Sequence, residues 1–101
     1  ATPTAPAEQS AGDADAMNNL GACYHNGYGC TKDMTKAIHW YQMGARAGST
    51  EALDNLGRCY KEGNGVPKDL DRAADIFRQA AAMGHPKAAG RLAEMGLKLE
   101  A

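Results

Sequence analysis

The sequence of 101 residues has no long hydrophobic run and no marked excess of charge of either sign. Its apolar stretches are far shorter than the ~20 residues that a membrane-spanning helix needs, so we expect no membrane insertion. Eleven Lys and Arg against twelve Asp and Glu leave a net charge of -1, with the two signs interspersed. Without a basic face, nucleic acid is not an expected partner.

Cysteine is also scarce, with only Cys23, Cys30 and Cys59. Three thiols cannot all pair within one chain, and residues at these positions have the character of small apolar fillers. No C-x-x-C or H-x-x-x-H pair is present, so the pattern predicts no metal site and no cofactor. Unpaired thiols favour a reducing compartment, and we therefore expect a cytoplasmic location, with an extracytoplasmic location as the alternative.

Catalysis by a cysteine is the alternative to this structural interpretation. His25 or His39 would have to activate Cys30 in a loop, where solvent access would help a thiolate react. However, Val66 occupies the place of Cys30 in the second copy of a repeat within this chain, so the position tolerates an inert side chain. We predict no catalytic residues and expect that the protein is not an enzyme.

The most informative feature that is present is a repeat with a period of 36 residues. A period between about 20 and 50 residues is typical of a solenoid, whose units bury their apolar faces by stacking on one another. A third copy begins with Ala88, Leu92 and Ala93. The recurring residues are Ala16, Asn19, Leu20, Gly21, Cys23, Tyr24, Gly27, Gly29, Lys32, Asp33, Ala37, Ala45 and Gly48, which return as Ala52, Asn55, Leu56, Gly57, Cys59, Tyr60, Gly63, Gly65, Lys68, Asp69, Ala73, Ala81 and Gly84.

Each unit has the pattern of two helices joined by a glycine turn. Apolar residues fall on one side of a first helix, Gly27 and Gly29 suit a turn, and Asp33 can cap a second helix that runs to about Ala47. Gly21 and Gly57 would let the paired helices approach closely. After the second unit, Pro86 suits the first position of a last helix.

These patterns predict an all-α fold, an α/α right-handed superhelix of two helix hairpins and a C-terminal capping helix. We interpret residues 1–14 as a disordered linker, because they are rich in Ala, Thr and Pro without apolar periodicity. Residues 15–101 would form the repeat domain, with repeats 16–51 and 52–87 and a partial repeat 88–101.

The repeated pattern resembles the Sel-1-like repeat, a relative of the tetratricopeptide repeat. The residues that carry the resemblance are Ala16, Leu20, Gly21, Tyr24, Gly27, Gly29, Asp33, Ala37, Trp40, Tyr41 and Gly48, and then Ala52, Leu56, Gly57, Tyr60, Gly63, Gly65, Val66, Asp69, Ala73, Phe77, Ala80, Ala81 and Gly84. The resemblance implies a non-catalytic adaptor or scaffold that binds another protein or a peptide. The alternative function is a regulatory or targeting domain of a larger enzyme whose catalytic part lies outside this chain.

In a solenoid of helix pairs, the first helices line the concave face, and we predict that this face binds a peptide or a partner helix. We expect the protein itself to be a monomer. Tyr28 joins the predicted site because it lies between two turn glycines, where packing does not require an aromatic ring. The predicted partner-binding residues are Asp15, Asn18, Ala22, His25, Tyr28, Glu51, Asp54, Arg58, Lys61 and Glu94.

Overall fold

The computed structural model describes residues 13–96, which form five helices and no strand. Helices α1 and α2 form one hairpin, α3 and α4 form the next, α2 packs on α3, and α5 packs on α4. The predicted all-α solenoid is therefore confirmed, while most of the predicted linker lies outside the described residues. The helices are α1 (Ala14–Asn26), α2 (Met34–Arg46), α3 (Thr50–Glu62), α4 (Leu70–Ala82) and α5 (Ala88–Glu94).

Short polar side chains determine where the helices begin. Asp13 Oδ1 accepts hydrogen bonds from the amides of Asp15 and Ala16 at 3.0 and 3.1 Å, so α1 starts at Ala14, within the range predicted as linker. The predicted cap at Asp33 is confirmed, since its side chain accepts from the amide of Lys36 at 3.2 Å. Such a cap satisfies an amide that the first turn of a helix leaves without a partner.

The last helix starts later than predicted. Pro86 is not its first residue, because residues 86 and 87 form a turn and α5 begins at Ala88 without a side-chain cap. At the equivalent place in the second unit, Ser49 Oγ accepts from the amide of Ala52 at 3.0 Å. His85, the counterpart of Ser49, offers no short side-chain oxygen in that position, and only its carbonyl accepts from Ala88, at 3.4 Å.

Each hairpin is held by an aromatic ring that lies directly on a glycine. Tyr41 and Phe77 are fully buried, and a Cβ atom built on Gly21 would lie 2.6 Å from Tyr41 Cδ1. A Cβ atom on Gly57 would lie 2.7 Å from Phe77 Cε1. Since real Cβ atoms do not approach carbon this closely, only glycine lets the ring reach the backbone. The predicted close approach at Gly21 and Gly57 is confirmed.

The presence of glycine at position 44 has a similar steric explanation, which the sequence alone did not reveal. Glycine inside a helix costs about 1 kcal/mol relative to alanine, and the equivalent residue in α4 is Ala80. A Cβ atom on Gly44 would lie 3.1 Å from Ala52 Cβ and 3.2 Å from the carbonyl oxygen of Ala14. Gly44 therefore lets α2 lie close to both neighbouring first helices.

Two polar pairs join the first helices of successive units, and we call them the inter-repeat ladder. Asn55 Nδ2 donates to Asn18 Oδ1 at 2.9 Å between α3 and α1. Arg91 donates to both carboxylate oxygens of Asp54, at 2.9 and 3.1 Å, between α5 and α3. Both pairs join residues 37 positions apart, so the stacking register is the same at the two interfaces.

The contact between Gly57 and Phe77 predicts the effect of adding one methyl group. The variant Gly57→Ala should lose about 1 to 3 kcal/mol of unfolding free energy, because the ring must move off the backbone. Gly90→Ala is the matched control, since a Cβ atom there meets nothing within 4 Å of it. That control should gain up to about 1 kcal/mol from helix propensity. Chemical denaturation of both variants measures the difference, and equal stability of the two would contradict the proposed packing.

The inter-repeat ladder predicts that a pair of asparagines, as in Asn18 and Asn55, can replace the charged pair of Asp54 and Arg91. Arg91→Ala should lower the unfolding free energy by about 1 to 3 kcal/mol, because the buried Asp54 carboxylate would lose its charged donor. The double variant Asp54→Asn with Arg91→Asn copies the Asn18 and Asn55 pair and should recover most of that loss. A double variant no more stable than Arg91→Ala, measured by urea unfolding, would show that the two interfaces do not share this register.

Candidate partner-binding surface

Most of the predicted site residues lie on the first helices, as their spacing indicated. On α1, Asp15 is exposed, whereas Ala22 and His25 are half-buried. On α3, Arg58 is exposed, and it forms no salt bridge with another residue of the described range. Tyr28 lies in the turn between α1 and α2 with 69% of its surface exposed, so it contributes little to the core.

Asp54 does not lie on the free face, so the expectation that it is a non-packing residue open to a partner is wrong. Its side chain is 5% exposed and pairs with Arg91. Asn18 occupies the equivalent place on α1 and also contacts the next first helix, because its side chain accepts a hydrogen bond from Asn55. The physical reason is that this helix position faces the next first helix in the stack, where the sequence pattern alone placed it toward solvent.

Two of the remaining charged candidates form a salt bridge with each other, and a third lies near a histidine outside the predicted site. Lys61 Nζ lies 3.7 Å from Glu94 Oε1, and this salt bridge joins α3 to α5. Glu51 is exposed, and its Oε1 lies 3.8 Å from Nδ1 of His85. The pair of Lys61 and Glu94 is on the surface, where a single ion pair contributes at most about 1 kcal/mol.

His25 shows that α1 and α3 bring charges of both signs together. Burial lowers the pKa of His25 below its ordinary value of 6.5, the positive charges of Lys32 and Arg58 lower it further, and Glu62 opposes them. The imidazole Nδ1 lies 3.1 Å from the hydroxyl of Tyr41, which orients the ring. We call Ala22, His25, Arg58 and Glu62 the first-helix face. Glu62 was missed because its counterpart, Asn26, carries no charge that would single out the position.

His85 is a second residue that the pattern did not single out. It is 4% exposed, and neither ring nitrogen has a hydrogen-bond partner among residues 13–96. Nδ1 faces Glu51 at 3.8 Å, and Nε2 lies 3.9 Å from Oδ2 of Asp54. The signal in the sequence was its equivalence to Ser49, a buried capping residue, which indicates an interior position.

Cys59 and Tyr41 are held in their protonated forms. Burial raises the pKa of Cys59 to about 11 and that of Tyr41 to about 12. All three cysteines are free thiols, and Cys30 Sγ donates to the carbonyl of Cys23 at 3.6 Å. Within residues 13–96, no group of three or more His, Cys, Asp or Glu side chains is placed to hold a metal ion.

The aromatic residues of α2 belong mainly to the core. Tyr41 is buried, and Trp40 packs against the same core with its ring edge-to-face with His39 at 5.2 Å between centroids. Tyr41 and Trp40 therefore contribute mainly to packing. None of the helices within residues 13–96 combines the length and apolar character that crossing a bilayer requires.

Comparison with known proteins agrees with this geometry. The family model described as Sel1 repeat matches residues 14–49 and 50–85. These boundaries begin two residues before those predicted from the sequence and keep the same period. No curated protein matches the chain.

Three solved structures are similar to the chain. A Sel1 repeat protein from Oxalobacter formigenes is 41% identical with a TM-score of 0.78, over 82% of this chain and 62% of that one. The c5321 protein, a protective antigen present in uropathogenic Escherichia coli strains and displaying an SLR fold, is 35% identical with a TM-score of 0.82, over 92% of this chain and 21% of that one. Cysteine rich protein B of Helicobacter pylori is 29% identical with a TM-score of 0.75, over 78% of this chain and 59% of that one.

The chain therefore spans less than two thirds of the length of each of these structures. The family match covers most of the chain, and it falls on the two helix hairpins that the structure contains. Proteins built from Sel1 repeats generally mediate interactions between proteins and are typically not catalytic. On these grounds, the chain belongs to the Sel1 repeat family.

Proposed function

We propose that this chain is a non-catalytic interaction module that binds a peptide or a helix of another protein on its first-helix face. The proposal rests on the observation that the first helices lie closer together than the second helices. The first helices α1 and α3 contact each other directly, whereas an open groove separates α2 from α4. We infer that such a stack bends toward its closer side, and this supports the assignment of the first-helix face as the concave one.

The chemistry of this face supports a partner with an apolar group beside an acidic one. Ala22 is small and leaves room on α1, while its counterpart on α3, Arg58, offers an exposed cation. A single exposed ion pair is worth at most about 1 kcal/mol, so affinity has to come from several contacts around an apolar anchor. Two adjacent helices also form the kind of surface on which a partner helix can lie.

Peptide selection on the immobilised protein tests this proposal, with variants that change only the first-helix face. We expect the selected peptides to bind Ala22→Arg and Arg58→Glu at least about tenfold more weakly than the unaltered protein, because each variant loses one central contact. The repeat already holds Arg58 in the position equivalent to Ala22, so the fold should tolerate arginine there.

Lys68→Glu is the matched control, because it makes the same charge change at an exposed position in the turn before α4. It should leave the affinity of the selected peptides unchanged. Selected peptides that bind Ala22→Arg and Arg58→Glu as tightly as the unaltered protein would refute binding on the first-helix face.

The titration of His25 checks that Arg58 acts across the two helices. Arg58→Glu should raise the pKa of His25, because it replaces a repelling charge with an attracting one, and Lys68→Glu should leave it unchanged. Since folding lowers this pKa, neutral His25 stabilises the fold above about pH 6.5, and that contribution is lost as the pH falls. The loss should be smaller in Arg58→Glu. NMR titration of the imidazole measures the pKa, and an unchanged value in Arg58→Glu would contradict the arrangement.

A further inference from the structure

A groove between the second helices has features of a separate binding site. Two cavities of about 310 and 220 Å³ lie between α2 and α4. They share Gln42, Leu56, Ile76 and Gln79, so they adjoin each other along one open depression, which we call the α2–α4 groove. It lies on the side of the stack formed by the second helices, and no residue of α1 lines it.

The floor of the groove is apolar, and its length suits a short segment. Leu53 and Leu56 of α3 and Ile76 of α4 line it, and Tyr60 marks one end. Seven residues of helix separate Leu53 from Tyr60, which corresponds to about 10 Å. An extended chain advances about 3.3 Å per residue, so about three residues would fit along this floor.

Two glutamine amides favour an extended peptide over a helix. Gln42 lies on the α2 wall and Gln79 lies along α4, and both border each cavity. Neither side-chain amide hydrogen bonds to another residue in the described part of the chain. An amide offers a donor and an acceptor, which match the free main-chain groups of an extended segment. A helix has already used most of those groups internally.

The charges of the groove favour an acidic occupant. Arg46 lies at the end near Leu53, and Arg72 lies at the end near Tyr60. Arg72 is held in place, since Nη1 donates to the hydroxyl of Tyr60 at 3.1 Å and the guanidinium lies 5.2 Å from its ring centroid. Asp75, the one carboxylate that the described residues contribute to the lining, lies 3.5 Å from Arg78, which offsets its charge.

We propose that the α2–α4 groove binds an extended acidic peptide segment with an apolar residue at its centre. The apolar side chain packs against Leu56 and Ile76, and the flanking carboxylates pair with Arg46 and Arg72. Gln42 and Gln79 hydrogen bond to the peptide main chain between them. This site is separate from the first-helix face, so the two surfaces can be occupied by different partners.

Titration with blocked pentapeptides, followed by NMR, tests this site. The probe has the sequence Asp-Ser-Leu-Ser-Asp, and its charge-reversed counterpart is Lys-Ser-Leu-Ser-Lys. We expect the acidic probe to cause saturable shifts of the side-chain amide signals of Gln42 and Gln79. Its affinity should exceed that of the basic peptide at least about tenfold, because electrostatic complementarity sets specificity.

Variants separate this site from the first-helix face. Arg46→Glu combined with Arg72→Glu should reverse the preference between the two peptides, while Arg58→Glu should leave the acidic probe's shifts at Gln42 and Gln79 unchanged. Gln79→Ala removes only an exposed amide and should weaken binding about two- to fivefold without unfolding the protein. Absence of saturable shifts at about 1 mM probe, equal binding of both peptides, or shifts confined to α1 and α3 would each overturn the proposal.

Discussion

The structure depends on one steric constraint, the contact between an aromatic ring and a helical glycine in each hairpin. Tyr41 lies on Gly21 and Phe77 lies on Gly57, so each second helix sits as close to its first helix as backbone and ring allow. Because this contact recurs at the repeat interval, the two hairpins have the same depth and can stack in one register. The surfaces available to partners follow from that shared geometry.

The inter-repeat ladder then decides which polar residues remain free. It uses Asn18 and Asp54, which lie one position before their partners in the repeat, and it leaves Ala22 and Arg58 at the next turn of each helix. A residue at the first position stabilises the stack, whereas a residue at the second belongs to the face where we propose that a partner binds. About one helical turn therefore separates the stacking residues from the proposed binding residues on each helix.

Much of this architecture could be predicted from the sequence, because repeated spacing constrains it. The period of 36 residues indicated the hairpins, the cap at Asp33 and the close approach at Gly57. The burial of Asp54 could not be predicted, since its partner Arg91 lies in the partial third unit, where the corresponding residue of the other units is asparagine. The α2–α4 groove depends on how far apart the second helices lie, and periodicity carries no information on that distance.

The coupling between Gly57 and Phe77 tests the central constraint most directly. A double-mutant cycle of Gly57→Ala and Phe77→Leu, measured by urea unfolding, isolates the interaction from the separate losses of packing. If the ring must lie on the glycine, leucine should relieve part of the clash, and the two changes together should cost at least about 1 kcal/mol less than their sum. Strictly additive losses would contradict this account of how the hairpins are held together.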